Sequence, residues 1–430
     1  MEVKKLILFK LFFENLFKIF VFFYTFIVSL VISLIVFLRE KEKFLNNSKI
    51  LDIDGIKLEK KTILIDGYKH QYTICGNLNA ESKHILVMMG GIPSDPSESM
   101  YWMASELIKM NSSFKILILH LPFYENYSKI EPTDETAKFN TLNLPFNRES
   151  SNKNVKVDPK FSHYNQSKVV EKILEELEIF EAHFVGHDRG VVVFEHLMIR
   201  KNDLFLSFSR GAQVWDYYEN EWSELAPAIL VGPPHRYMTK PWQLKLIFSL
   251  ITLFEFPSAI ISEGFIKKCK DAKKGTELFN RFTHIIYKAN IQNKLFLSKV
   301  RQTMFQTDSS SEIDNRKKLP KNIKIMQFQG EDEFKLNSKN KLVSDQPYFG
   351  KYNLFRNEIE DIYPGCEFQD LSKIQNQHIE FKKEYKKVNL LPSARMNFFA
   401  LIPDSAHFNV IENPKGCAST INDFIMECNI

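Results

Sequence analysis

Asp188 stands between two glycines, Gly186 and Gly190, in the stretch AHFVGHDRGVVVFEH at residues 182–196. An apolar run precedes the aspartate and a helix-like run follows it, which predicts a sharp turn from a strand into a helix. Such a turn needs small residues two positions before and after its centre, because side chains there would collide. It points the central side chain out at the carboxyl ends of the strands, where ligands bind. The alternative interpretation is a solvated aspartate on an ordinary loop.

The chemistry open to a carboxylate in this position is nucleophilic attack. A carboxylate attacks a saturated carbon and forms an alkyl ester, whereas a serine at the same turn would form an acyl ester. A base must then reach the ester from a later loop on the same edge of the sheet. His407, in LIPDSAHFNVIENP at residues 401–414, directly follows the last predicted strand. A lone histidine is structural about as often as catalytic, and this position together with Asp188 favours the catalytic role.

Two further segments could complete the site. QGEDEF at residues 329–334 places three consecutive acids, residues 331–333, at the end of a predicted strand. One of them could hold the imidazole tautomer, and the residue types alone leave open which one. MGGIPSDP at residues 89–96 follows the first predicted parallel strand. Its backbone N–H groups, together with that of Arg189, could form an oxyanion hole.

The elements that must position these residues alternate between strands and helices. Helical spacing predicts helices at residues 97–110 and 164–180, and alternation around an Asp-Gly turn predicts a hairpin at residues 62–75. Continuous apolar runs are typical of buried parallel strands. They occupy residues 84–91, 114–122, 182–186, 225–232, 323–330 and 397–403. This order predicts an α/β fold, a mostly parallel sheet with helices on both faces.

Five segments fall outside this alternation. The polar residues 39–60 are predicted to form a stalk and residues 123–162 a loop, while residues 201–224 and 335–394 are predicted to be insertions. Residues 233–318 form a helical block between the fourth and fifth of the predicted parallel strands. This block is predicted to be an inserted cap.

The composition argues against several kinds of function. The chain has 430 residues, a net charge of +5 and 44% hydrophobic residues, which is an ordinary globular composition. Its lysines are scattered rather than clustered, so we expect no nucleic-acid surface. The five cysteines show no Cys-x-x-Cys pair and no metal-ligand spacing. We therefore expect no metal site and no cofactor.

Residues 19–38, IFVFFYTFIVSLVISLIVFL, carry no charge. As a helix this segment would be about 30 Å long, which matches the hydrocarbon core of a bilayer. A cleaved signal peptide is the alternative, but its apolar region is normally shorter and ends in small residues. The run predicts an uncleaved single-pass anchor in the endoplasmic reticulum or another endomembrane. Positive charges on its two sides are nearly balanced, so its orientation stays open.

These motifs together resemble the α/β-hydrolase superfamily, in its branch of epoxide hydrolases and haloalkane or fluoroacetate dehalogenases. VGHDRG (185–190) resembles the aspartate-nucleophile turn of that branch, and IPDSAHFNVIENP (402–414) resembles its histidine loop. GGIP (90–93) is similar to its oxyanion turn, and IIYKANI (285–291) to a cap segment with a ring-opening tyrosine. The resemblance covers about residues 60–430.

The resemblance implies a role for each of six positions. They are the nucleophile Asp188, the base His407, the acid Glu333 (or Asp332), the ring-opening tyrosine Tyr287, and the oxyanion donors Ile92 and Arg189. The choice of Glu333 follows from the Gly-x-x-Asp pattern of the family.

Three positions depart from the pattern of that branch. Gly90 replaces the histidine that precedes the oxyanion glycine, and Leu250 stands where the second cap tyrosine is expected. Arg189 replaces the tryptophan that usually follows the nucleophile, which is closer to the fluoroacetate dehalogenase type. These departures bear on the substrate and on whether the protein is active.

The sequence therefore predicts a membrane-anchored α/β-hydrolase with an N-terminal transmembrane helix and a helical cap. Its predicted parts are an anchor and stalk (1–45), a core in two pieces (60–232 and 319–430) and the cap (233–318). The expected activity resembles that of an epoxide hydrolase, in which a His-activated water hydrolyses an alkyl-enzyme ester. The expected partners are a lipophilic small-molecule substrate and the bilayer, through residues 19–38. The alternatives are a dehalogenase and a catalytically silent protein that binds a lipid or a partner.

Overall fold

The computed structural model describes the part of the chain that surrounds the predicted site. The described residues are scattered positions between 16 and 38, and 50–76, 78, 81–92, 95–125, 127–140, 152–211, 276–292, 295–307, 323–330, 335–336, 342–343, 391–392 and 397–428. The predicted anchor at residues 19–38 lies largely outside them. Across the positions that are described, no helix has the length and apolar character needed to cross a membrane.

One mixed sheet forms the centre of the protein. Its ten strands are β1 (Ile50–Ile53), β2 (Ile56–Ile65), β3 (Tyr68–Cys75), β4 (Ile85–Met89), β5 (Lys115–Leu119), β8 (Ala182–His187), β9 (Phe205–Gly211), β10 (Lys324–Gly330), β13 (Leu391–Pro392) and β14 (Asn397–Ile402). They lie in the order β1-β2-β3-β5-β4-β8-β9-β10-β14-β13. The six strands from β5 to β14 in this order pair in parallel, so their carboxyl ends share one edge of the sheet.

Two antiparallel hairpins lie apart from the main sheet. They are β6 (Thr136–Asn140) with β7 (Asn152–Lys156), and β11 (Lys335–Leu336) with β12 (Leu342–Val343).

Helices cover both faces of the sheet. They are α1 (Tyr101–Met110), α2 (His163–Glu176), α3 (Arg189–Arg200), α4 (Glu277–Gln292), α5 (Phe296–Thr307), α6 (Asn409–Glu412) and α7 (Pro414–Cys428). Leu86 and Met88 of β4 pack in one apolar cluster with buried residues of α1 and α7. Val87 and Met89 point to the other face and pack in a second cluster with α2 and α3. A strand with both faces covered favours apolar residues at every position, which explains the continuous run in β4.

Most of the predicted elements are confirmed. The hairpin at residues 62–75 is β2 and β3, and its turn residues Asp66 and Gly67 have φ angles of 49° and 83°. The predicted helices at 97–110 and 164–180 correspond to α1 and α2. Five of the six apolar runs are strands of the sheet, namely β4, β5, β8, β10 and β14.

Three predictions about the connecting segments were wrong. The sheet already begins at Ile50, inside the predicted stalk at 39–60. The hairpin of β6 and β7 lies in the predicted loop at 123–162. The predicted insertion at 201–224 contains β9, which pairs in parallel with both β8 and β10. Its sequence FLSFSRG mixes polar with apolar residues, so it lacked the continuous apolar run of a buried strand. The predicted strand at 225–232 lies outside the described residues.

Two helices of the predicted cap are described, and both contact the core. In α4, Nε2 of His284 lies 2.7 Å from Oε2 of Glu98. In α5, the hydroxyl of Thr303 shares a hydrogen bond of 2.6 Å with the hydroxyl of Tyr124. The cap boundaries at residues 233 and 318 lie outside the described residues and stay a prediction.

Candidate active site

Strand β8 passes into helix α3 through a single residue, Asp188. Its φ of 50° and ψ of −126° are a backbone conformation that residues other than glycine rarely adopt. A Cβ on Gly186 would lie 2.9 Å from the backbone nitrogen of Val191. A Cβ on Gly190 would overlap the backbone oxygen of Met89. The predicted turn is therefore present, and its two glycines allow the close approach that holds Asp188 in this strained conformation.

Backbone N–H groups hold the Asp188 carboxylate. The N–H of Ile92 donates to Oδ2 of Asp188 at 3.0 Å, and the N–H of Arg189 donates to the carboxylate as well. A Cβ on Gly91 would overlap the Asp188 side chain, so only glycine leaves room for the carboxylate here. The two predicted oxyanion donors thus meet at one carboxylate.

His407 faces the second oxygen of this carboxylate. Its Nε2 lies 4.0 Å from Oδ1 of Asp188, which is longer than a hydrogen bond. A serine nucleophile needs a direct bond to its base, because it must lose a proton as it attacks. An ionised carboxylate has no proton to lose, so an aspartate nucleophile does not need that bond. The spacing suits a histidine that activates water rather than the nucleophile.

The loop that carries His407 is fixed from three directions. The N–H of Ala406 donates to Oε2 of Glu412 at 2.8 Å. His187, the residue before Asp188, places its Nε2 2.9 Å from the backbone oxygen of His407. A Cβ on Gly330 would overlap the backbone oxygen of Ala406, so β10 ends directly against this loop. The predicted base is therefore held by its own chain, by β8 and by β10.

Burial determines the charge states of the two central residues. It raises the pKa of Asp188 to about 6, against the opposing effects of Arg189 and of the Ile92 N–H group. Burial lowers the pKa of His407 well below its ordinary value, and the nearby His187 and Arg189 lower it further. At neutral pH the carboxylate is ionised and the imidazole is neutral. These are the states that a nucleophile and a general base require.

Other predicted site residues can be placed only in part. Tyr287 lies on helix α4, and its side chain is outside the described residues. Glu333 and Asp332 lie outside them too, directly after Gly330 at the end of β10, and so does Leu250. Within the described part of the chain, no three His, Cys, Asp or Glu side chains converge so as to hold a metal ion.

Sequence reasoning missed two buried residues beside the site. His187 belongs to the quoted motif, but nothing in the motif marks its contact with the histidine loop. Tyr124 joins the core to helix α5 through Thr303. Burial raises the pKa of Tyr124, and the charge of Asp188 raises it further, while the hydrogen bond to Thr303 and the charge of Arg189 lower it. No motif marks Tyr124, which lies in the segment predicted to be a polar loop.

Comparison with known proteins identifies the fold. No protein-family profile and no curated protein matches this chain. The Cif epoxide hydrolase from Acinetobacter nosocomialis is similar in structure, with a TM-score of 0.54 and 14% sequence identity over 92% of this chain and 96% of that one. The haloalkane dehalogenase DbeA-M1 loop variant from Bradyrhizobium elkanii has a TM-score of 0.50 and 10% identity over 86% of this chain and 98% of that one.

A third similar structure is MGS-M2, an α/β-hydrolase enzyme from a Medee basin deep-sea metagenome library. It has a TM-score of 0.50 and 10% identity, over 85% of this chain and 96% of that one. Identities this low bear on the fold and not on the activity. Together with the strand order and the turn at Asp188, they show that this chain has the α/β-hydrolase fold.

Proposed function

We propose that the protein is a hydrolase of the epoxide hydrolase type that uses Asp188 as its nucleophile. One observation carries the proposal, namely that the two oxygens of the Asp188 carboxylate have different surroundings. Oδ1 faces Nε2 of His407, and Oδ2 accepts a hydrogen bond from Ile92. A solvated loop aspartate would not have only 14% of its side chain exposed, nor a strained backbone between a backbone donor and a histidine.

In the first step, Oδ1 of Asp188 attacks a carbon of the epoxide ring. A carbon–oxygen bond forms, the ring carbon–oxygen bond breaks, and the ring oxygen leaves as an alkoxide. Tyr287 on the cap helix α4 donates a proton to that oxygen. The product of this step is an ester of Asp188 that carries a neighbouring hydroxyl group.

In the second step, His407 removes a proton from water, and the resulting hydroxide attacks the ester carbonyl. Oδ2 becomes the oxyanion, and the N–H groups of Ile92 and Arg189 stabilise it. The intermediate collapses, and the diol oxygen leaves and takes a proton from His407. Asp188 then carries the proton of the attacking hydroxide, and its loss through solvent to the Tyr287 phenolate restores both residues. An acid on the loop after β10, Glu333 in our assignment, orients the imidazole. The sum of both steps is the addition of one water to one epoxide.

A dehalogenase is the second candidate function, and two residues favour it. Arg189 is buried directly after the nucleophile, where a cation could interact with a leaving halide or an acidic substrate. Leu250 removes one of the two tyrosines that ring opening would use. In this reaction the carbon–halogen bond breaks in the first step, and the second step is unchanged. A catalytically silent protein that binds a lipid or a partner is the third possibility.

Turnover by the purified full chain in detergent distinguishes the candidates. We expect diol from lipophilic epoxides such as styrene oxide, and none from the Asp188→Ala variant. Turnover of 1-chlorobutane or fluoroacetate without epoxide turnover would move the assignment to a dehalogenase. No product and no covalent adduct with either class would favour the silent protein.

Acidic pH should slow the first step. Because only the ionised carboxylate attacks, we expect the rate of ester formation to fall as the pH is lowered through about 6. Rapid-quench mass spectrometry of the Asp188 peptide across this range measures it. The His407→Gln variant is the control and should show the same decrease, because this step needs no base. A rate that does not change with pH would contradict the assignment.

The same pKa shift has a consequence for stability. The folded-state pKa of Asp188 lies above its ordinary value of 3.8, so the folded protein binds this proton more tightly than the unfolded chain. The stability gained from protonation is complete below the unfolded value and is lost as the pH rises through about 6.

We further propose that residues 19–38 anchor the protein in an endomembrane and place the site near lipophilic substrates. The absence of charge over this run supports the proposal. The full chain should resist extraction by alkaline carbonate, while a chain starting near residue 45 should be soluble. Release of the full chain by carbonate would exclude the anchor.

A further inference from the structure

We propose that His187 is a positioning residue for the second step, because it holds the backbone of His407 in register with the nucleophile. This inference rests on the proposed function, since it assigns His187 to ester hydrolysis and not to ester formation. His187 touches no reacting atom in this proposal and acts through the loop of His407.

The contact itself fixes the direction of the hydrogen bond. Nε2 of His187 lies 2.9 Å from the backbone oxygen of His407, and a carbonyl oxygen can only accept. Nε2 of His187 must therefore carry the proton. Both side chains are buried, with 2% of His187 and 4% of His407 exposed, and their ring centroids lie 5.5 Å apart. A hydrogen bond this well shielded from water limits the movement of the loop.

The position of the donor makes the contact specific. His187 is the last residue of β8 and pairs with Gly211 of β9, so its backbone belongs to the sheet. Asp188 follows it directly, and the N–H of Asp188 donates to the oxygen of Gly211 at 2.9 Å. The donor therefore moves with the nucleophile. Its hydrogen bond ties the base to the strand on which the ester forms.

Charge supports the same role. Burial lowers the pKa of His187 to about 4, so the ring is neutral at physiological pH. A neutral donor holds the carbonyl of His407 without placing a permanent positive charge beside the base.

The two chemical steps depend differently on this contact. Ester formation needs the ionised carboxylate and the proton from Tyr287 but no base, so the exact position of His407 does not matter. Ester hydrolysis needs Nε2 of His407 within reach of a water that attacks the ester carbonyl. A shift of about 1 Å in such a group can cost about a hundredfold in rate. Loss of the His187 hydrogen bond should therefore slow the second step selectively.

The test compares both steps in His187→Phe and His187→Gln, with styrene oxide and the full chain in detergent. Phenylalanine fills a similar volume without a donor, and glutamine restores an N–H at a similar reach. In His187→Phe we expect ester hydrolysis to fall by about tenfold to a hundredfold. Ester formation should stay close to the wild-type rate, so the ester accumulates on Asp188. His187→Gln should recover most of the hydrolysis rate.

His183 offers a matched control on the same strand. It lies four residues before His187, on the same face, and is fully buried. Its Nδ1 is 2.8 Å from the hydroxyl of Ser207, away from the histidine loop. His183→Phe should lower thermal stability about as much as His187→Phe without changing the ratio of the two rates.

Three results would overturn the inference. They are wild-type ester hydrolysis in His187→Phe, an equal loss of both steps in His187→Phe and His183→Phe, and no recovery in His187→Gln. If His187→Phe does not fold, the test rests on His187→Gln alone. The inference then requires that the ratio of ester hydrolysis to ester formation in His187→Gln equals the wild-type ratio. If the wild-type chain forms no ester at all, the proposed function fails together with this inference. If the wild-type chain forms and hydrolyses the ester but the His187 variant does not slow hydrolysis selectively, this inference fails and the proposed function remains.

Discussion

In a His407→Gln variant, we expect the peptide that contains Asp188 to carry the added mass of the substrate after a single turnover. The ionised Asp188 still attacks, because the first step needs no base. Hydrolysis of the ester should fall by about 10² to 10⁴, the usual contribution of a general base. The 4.0 Å separation between Nε2 of His407 and Oδ1 of Asp188 supports this division of roles. Mass spectrometry of a proteolytic digest measures the trapped ester.

Labelled water provides the control for this result. When the wild-type chain completes one turnover in ¹⁸O water, the label should enter Asp188 and the first product should stay unlabelled. Water attacks the ester carbonyl, so the product takes its oxygen from the carboxylate. Asp188→Ala should form no adduct, although Asp188→Asn can recover by slow deamidation. Full labelling of the first product would instead make Asp188 a general base for direct attack by water.

The second large effect concerns stability, and it involves a buried ion pair between strand β9 and helix α3. We expect Arg210→Met to lower the free energy of unfolding by about 3–5 kcal/mol, because it leaves a buried carboxylate without its partner. Nε of Arg210 lies 2.7 Å from Oε1 of Glu195, and its Nη1 lies 2.7 Å from Oε1 of Gln327. Arg210 is fully buried, so water cannot replace these contacts. Denaturant titration of the full chain measures the loss.

Two further variants test the cause of this loss. The double variant Arg210→Met with Glu195→Leu removes both charges and should recover much of the stability, because no unpaired charge remains buried. Lys172→Met breaks an exposed pair, Lys172 with Asp66 at 2.6 Å, and should cost less than about 1 kcal/mol. A loss in Arg210→Met as small as that of Lys172→Met would show that the buried pair does not stabilise the fold.

The local sequence determined the turn that carries Asp188. The spacing of Gly186, Asp188 and Gly190 constrains backbone conformation within five residues, so the turn follows from nearby sterics. The hairpin turn at Asp66 and Gly67 follows in the same way from two positive φ angles. Predominantly apolar runs predicted β4, β5, β8, β10 and β14, because strands covered on both faces favour apolar residues.

Strand β9 is a buried strand that its own sequence pattern did not predict. Ser207, Ser209 and Arg210 interrupt its apolar residues, a pattern that argues against a buried strand. Burial of Arg210 is made possible by Glu195 on helix α3, which balances its charge and accepts from Nε, and by Gln327 on strand β10, which accepts from Nη1. Those partners come from segments far away in the chain, so the residues of β9 by themselves could not indicate burial.

The contact between His187 and His407 depends on tertiary structure for the same reason. The two residues are 220 positions apart. The sequence of one strand does not determine which other strands will lie beside it in the sheet, and so it does not determine which loop will reach its end. In the folded sheet, β9 and β10 separate β8 from β14, and the loop after β14 returns to the end of β8. The types of the candidate site residues could therefore be read from local patterns. Their distances and the hydrogen bonds that hold them were decided by strand order, because it alone brings distant backbone groups into contact.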